Sequence, residues 1–144
     1  MMRLSSESLH SSTVALEGRA VIISGPSGSG KSDLALRLLD RGFTLVSDDQ
    51  TFLRTDDGRL IATSPPTIRG KLEIRGIGIV EVPCIDDVPV ALFVELTSDM
   101  QRMPDDSRER LLLGVRVPLI SVDAMTASAP SKVAVALDRM GLSF

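Results

Sequence analysis

The chain has 144 residues, 43% of them apolar and 24% charged, which suits one compact domain with a real core. A net charge of −3, no Trp, no Tyr and four Phe leave neither a broad basic face nor a stacking platform for nucleic acid. One Cys (Cys84) and one His (His10) exclude an internal disulfide, a Cys-rich zinc site and any site that needs two imidazoles.

Residues 1–12 are polar and Ser-rich and lack the apolar centre of a signal peptide, so a loosely ordered start is expected over 1–9. No apolar run later in the chain has membrane-spanning length, so a cytoplasmic protein without membrane or nucleic-acid partners is expected. Residues 13–16 suit a strand, turned at Glu17-Gly18. Residues 19–24 (RAVIIS) form a second strand with a continuous apolar centre, the mark of a buried position. After a Gly/Ser loop, residues 31–41 are helical in pattern: Leu34, Ala35, Leu38 and Leu39 make one stripe, and Gly42 stops it.

Residues 43–47 suit a strand that ends at Asp48-Asp49. A hairpin is expected over 50–54 and 59–62, turned at Asp56-Asp57-Gly58. Residues 71–82 (KLEIRGIGIVEV) alternate around two glycines and fit either two short strands or one bent strand. A buried strand is expected over 88–96, then a polar segment over 98–110 with a short helix running into residues 111–113. A last strand over 117–122 and a helix over 131–140 complete a single α/β domain with more sheet than helix.

The strongest motif is Gly25-Pro26-Ser27-Gly28-Ser29-Gly30-Lys31-Ser32, which fits G-x-x-x-x-G-K-[ST] without a mismatch. Glycines let successive backbone N–H groups converge on phosphate oxygens, and the following helix turns its positive end on the same anion. Lys31 supplies a cation for the outer phosphates and Ser32 a hydroxyl for Mg²⁺. ATP and Mg²⁺ are therefore the expected ligands. The loop also resembles those of transporter ATPases and guanylate kinase. The chain is too short for the former and has no LSGGQ-type segment, and it has no tyrosines to hold a base as the latter does.

Asp48 and Asp49 follow Lys31 by seventeen and eighteen residues. Adjacent carboxylates at a strand end point to different sides, so one can face a metal while the other faces a second substrate. Glu73 and Arg75 alternate on one strand face beside Gly76 and Gly78. Their spacing fits a polyphosphate site and an exposed ion pair equally well.

Three blocks together, GPSGSGKS, RGFTLVSDD and KLEIRGIGIVEV, resemble the catalytic domain of the HPr kinase/phosphorylases. The resemblance runs from about His10 to Val82 and is looser beyond. It implies a phosphoenolpyruvate-carboxykinase-like mixed sheet with few helices. It implies ATP-dependent phosphorylation of a regulatory serine on HPr, a phosphocarrier of the bacterial sugar phosphotransferase system, with possible phosphorolysis of that phosphoserine. By position, Lys31 and Ser32 would hold phosphate and Mg²⁺, Asp48 would be the base, and Asp49 would serve the metal region. Glu73, also on the metal side, and Arg75 would support the site, and His10 falls where the family carries a His. A hexamer is implied as well.

The chain departs from the family's pattern in several places. A chain without the family's large N-terminal domain, similar to the short alphaproteobacterial forms, is expected. Pro26 stands where the family usually has Asp, and residues 123–132 carry one Lys and no Arg where the family has a basic loop. A small-molecule kinase and an inactive nucleotide sensor remain the alternatives at this level.

Overall fold

A computed structural model describes residues 6–99 and 108–144. The strands, in chain order, are β1 (Ser6–Leu9), β2 (Ser11–Leu16), β3 (Arg19–Ser24), β4 (Thr44–Ser47), β5 (Thr51–Asp56), β6 (Arg59–Thr63), β7 (Lys71–Ile74), β8 (Gly78–Glu81), β9 (Val88–Leu96), β10 (Arg108–Leu112) and β11 (Val115–Val122). Two helices, α1 (Lys31–Leu39) and α2 (Ala129–Met140), and one 3₁₀ turn (Pro66–Ile68) complete the described elements.

Nine strands form one mixed sheet, ordered β1-β5-β6-β9-β3-β2-β4, with β11 and β10 branching from β9. β9 is the spine. It pairs parallel with β3 and β11 and antiparallel with β6. Its near-continuous apolar sequence follows from burial on both faces. A register shift opposite Ala20 and Val21 turns Ala91 and Leu92 to the same side. The chain therefore builds two cores. Val21, Ile23, Leu92 and Val94 face α1 and α2, while Ala20, Ile22, Val90 and Phe93 face the concave side closed by β5 and β6.

Helix α1 forms because Leu34, Ala35 and Leu38 recur on one face and are fully buried. It stops where Gly42, at φ 96°, lets the Phe43 N–H reach back 3.1 Å to the Leu38 carbonyl. Residues 71–82 prove to be two strands, the separate hairpin β7-β8.

Three expectations are corrected. Residues 6–9 are an ordered edge strand, because a polar segment needs only backbone pairing, and β5 supplies it. The helix expected to run into residues 111–113 is instead strand β10, which zips onto β11; residues 100–107 of that segment lie outside the described residues. Arg75 is not on a strand face with Glu73, since β7 ends at Ile74 and Arg75 begins the turn to β8. Among the described residues, no helix is long and apolar enough to cross a membrane.

Candidate active site

The phosphate loop leaves β3 at Gly25 and enters α1 at Lys31. Gly28 and Gly30 hold φ of 79° and 101°, conformations that a side chain resists. A Cβ on Gly25 would press to 2.7 Å from Ser29 Oγ, and one on Gly30 to 3.2 Å from the Ala124 Cβ. The cradle is thus shaped for bare backbone. Lys31 is 7% exposed, and its Nζ donates to the Gly25 and Pro26 carbonyls at 2.8 and 3.0 Å. The buried Ser29 hydroxyl has no hydrogen-bond partner among the described residues. A cationic Nζ, an unpartnered buried hydroxyl, a helix N-terminus and glycine-built walls are a donor set that fits a nucleotide's phosphates.

The acidic pair lies just past β4 rather than on it. The two carboxylates diverge because Asp49 adopts φ 71°, not through strand alternation. Their surroundings differ sharply. Asp48 is 5% exposed. Its Oδ1 accepts from the Ser12 and Ser32 hydroxyls, both at 2.7 Å, and its Oδ2 accepts the Glu73 N–H at 3.0 Å. Three donors spread over both oxygens fix this buried carboxylate in place. The Asp49 side chain is 75% exposed and pairs with His10 Nε2 at 2.8 Å.

These pieces converge on one cleft of about 550 Å³. It is lined by the phosphate loop with Lys31 and Ser32, by His10 and Asp49, and by Glu73 and Arg75 from the β7-β8 hairpin. Ala124, which abuts Gly30, and Met125 also line it. Asp48 stands behind Ser32 rather than in the lining. Among the described residues, no hydrogen bond or ion pair joins Glu73 to Arg75. Nor do three His, Cys, Asp or Glu side chains converge as a metal cage there. The Ser32 hydroxyl, bonded to Asp48, is a protein oxygen that could ligate a nucleotide-bound Mg²⁺.

Comparison with known proteins decides the family. Residues 3–139 match the family model described as the HPr serine kinase C-terminal domain. The chain belongs to that family. It is 34% identical to the HPr kinase/phosphorylase of Clostridium botulinum (strain Eklund 17B / Type B) over 126 residues, covering 79% of this chain and 41% of the relative. Against the HPr kinase/phosphorylase of Limosilactobacillus reuteri (strain DSM 20016), identity is 35% over 133 residues, covering 83% and 42%. The HPr serine kinase C-terminal fold is matched in space too. The solved structure of the HPr(Ser) kinase/phosphatase from Coxiella burnetii aligns with a TM-score of 0.81 at 28% identity, covering 92% of this chain and 94% of that one. The chain therefore spans about two-fifths of the length of these curated relatives.

Within this HPr serine kinase domain, the sequence reading missed Ser12 and Arg37, while Ala124 and Met125 fall in residues 123–132, which it set where the family has a basic loop. Arg37 of α1 donates to the Thr126 carbonyl at 3.2 Å and closely to that of Ala124, and it pairs with Asp33 at 3.1 Å. It thereby ties residues 124–126 to α1. An arginine on the polar side of a helix gives no such signal by itself. Ser12 was hidden in a polar run that reads as surface, yet it is fully buried.

Proposed function

We propose that this chain is an ATP-dependent kinase that transfers the γ-phosphate to a serine of HPr. One observation carries the reading: in a chain of the HPr serine kinase C-terminal family, the phosphate loop and an exposed carboxylate open into the same cleft. The backbone N–H groups of residues 27–32 and the Lys31 ammonium bind the phosphates. Asp49 receives the serine proton, since it alone of the pair is exposed to an incoming hydroxyl. His10, bonded to Asp49, orients that carboxylate. Asp48, buried and with both carboxylate oxygens bonded to donors, holds the Ser32 hydroxyl in place. These roles exchange those that the family resemblance first assigned to Asp48 and Asp49.

Ser32, held by Asp48, would ligate a Mg²⁺, which when bound would supply charge neutralisation at the phosphate oxygens. Glu73 and Arg75 frame the partner side of the cleft. The serine oxygen bonds to the γ-phosphorus as the bond to ADP breaks, and the proton passes to Asp49; most of the acceleration is positioning and charge stabilisation. In the reverse reaction an oxygen of inorganic phosphate bonds to the phosphorus of phosphoserine, forming pyrophosphate, as the bond to the serine oxygen breaks and that oxygen takes its proton from Asp49. The reading places the chain in the cytoplasm, in phosphotransferase-system regulation, as an oligomer. A hexamer in light scattering supports the assembly, and a monomer refutes it.

The test incubates the chain with γ-labelled ATP, Mg²⁺ and HPr, with a serine-to-alanine HPr as control. Serine-dependent label on HPr is expected. ATP binding without label on HPr, but with turnover of a metabolite, would favour a small-molecule kinase instead.

A further inference from the structure

We propose that Ser12 is a positioning residue that holds both carboxylates of the acidic turn in their separate orientations. The inference rests on the assignment of Asp48 and Asp49 given above. Ser12 sits on β2 with no exposed surface and is absent from the cleft lining. Its Oγ donates to Asp48 Oδ1 at 2.7 Å and accepts the Asp49 N–H at 3.4 Å. One hydroxyl thus uses its proton on the first carboxylate and a lone pair on the backbone of the second.

The placement answers a specific need. Asp49 stands at φ 71°, a conformation that costs a non-glycine residue energy and persists only where its surroundings fix it. Those surroundings come from residues 8–13. Gln50 Nε2 donates to Ser8 Oγ at 2.7 Å, His10 pairs with Asp49 at 2.8 Å, and Ser12 bonds Asp48 at 2.7 Å. Residues 8, 10 and 12 therefore step forward along the chain while 50, 49 and 48 step back along the turn. From the other side, the Ser11 and Thr13 hydroxyls meet that of Thr51 at 3.0 and 2.8 Å. Ser12 is the only rung that touches both aspartates.

Asp48 keeps two further donors, Ser32 and the Glu73 N–H, so loss of Ser12 frees the turn without stripping the carboxylate. The effect should fall on catalysis rather than on nucleotide binding. A misplacement of about 1 Å at a reacting group costs on the order of a hundredfold in rate.

The test compares Ser12→Thr with Ser12→Val in the full chain. The two are nearly isosteric and differ by the hydroxyl, so the packing cost of added volume is common to both. Ser12→Thr should keep transfer to HPr within about threefold of Ser12 itself. Ser12→Val should lose about 10–100-fold in kcat with KM for ATP within about twofold. In the same samples, the Asp49 amide should exchange its hydrogen at least about tenfold faster in Ser12→Val than in Ser12→Thr. If both larger side chains unfold the chain, Ser12→Ala is compared with the native protein by the same two readouts. Equal exchange at Asp49 with and without the hydroxyl overturns the proposal. So does a Ser12→Val variant with unchanged kcat. Should the native chain transfer nothing to HPr, the kinase reading fails on its own, and the exchange comparison still decides the role of Ser12.

Discussion

The bonds that shape the phosphate loop are local. Lys31 reaches carbonyls five and six positions back, Ser29 N–H closes on Pro26 at 3.0 Å, and Leu34 N–H closes on Gly30 at 2.9 Å. The acidic turn across the cleft is held by partners 16, 25, 36 and 39 positions away. Eight consecutive residues can fold the first into shape once β3 and α1 exist. The second takes its shape only when β1, β2, β4 and the β7-β8 hairpin have assembled. Chemistry that needs only an anion cradle can therefore travel as a short motif, whereas the division of labour between two neighbouring carboxylates is a property of the whole sheet.

Substitutions can break this contrast at either end. Lys31→Ala strikes the local element and should have the largest effect on nucleotide binding. Transfer falls by about 100–1000-fold and ATP affinity collapses with it. Tight nucleotide binding by that variant in calorimetry would remove the loop from the account. Asp48→Asn strikes the assembled element, because an amide must turn one donor toward Ser12, Ser32 or the Glu73 N–H. Mg²⁺-dependent ATP affinity should drop about 10–100-fold, and stability by about 1–3 kcal/mol, read by titration and denaturant unfolding. Gly30→Ala forces a side chain onto φ 101° and against Ala124, costing about 1–3 kcal/mol in a thermal melt. Arg37→Ala should be mildest in transfer: it frees the carbonyls of Ala124 and Thr126 and lowers stability by about 1–2 kcal/mol, while KM for ATP rises only a few-fold. An unchanged KM would separate residues 124–126 from the nucleotide.

The same contrast explains what could be read in the sequence. The phosphate loop, α1, β3 and β9 were legible because glycine spacing, helical periodicity and a continuous apolar run are local signals. β10 was not, since RERLL becomes a strand through β11, and its leucines suit a helix equally well. β1 was missed for a like reason: SESL carries no apolar pattern and owes its order to the backbone of β5. That Asp49, Glu73 and Arg75 line one cleft, with Asp48 behind Ser32, was not legible from spacing, which left Glu73 and Arg75 open; only the family resemblance put them at the site. Which aspartate is buried was not legible either, because Ser12, Ser32 and the Glu73 N–H settle it from three separate elements.

The account's central claim is that Asp49 takes the proton while Asp48 holds the site together. The most direct measurement is single-turnover transfer from ATP to HPr by Asp49→Asn, with ATP affinity measured on the same sample. The account predicts a loss of about 100–10,000-fold in the transfer rate, with ATP binding close to that of the native chain. Transfer by Asp49→Asn at the native rate would contradict it and return the base to Asp48.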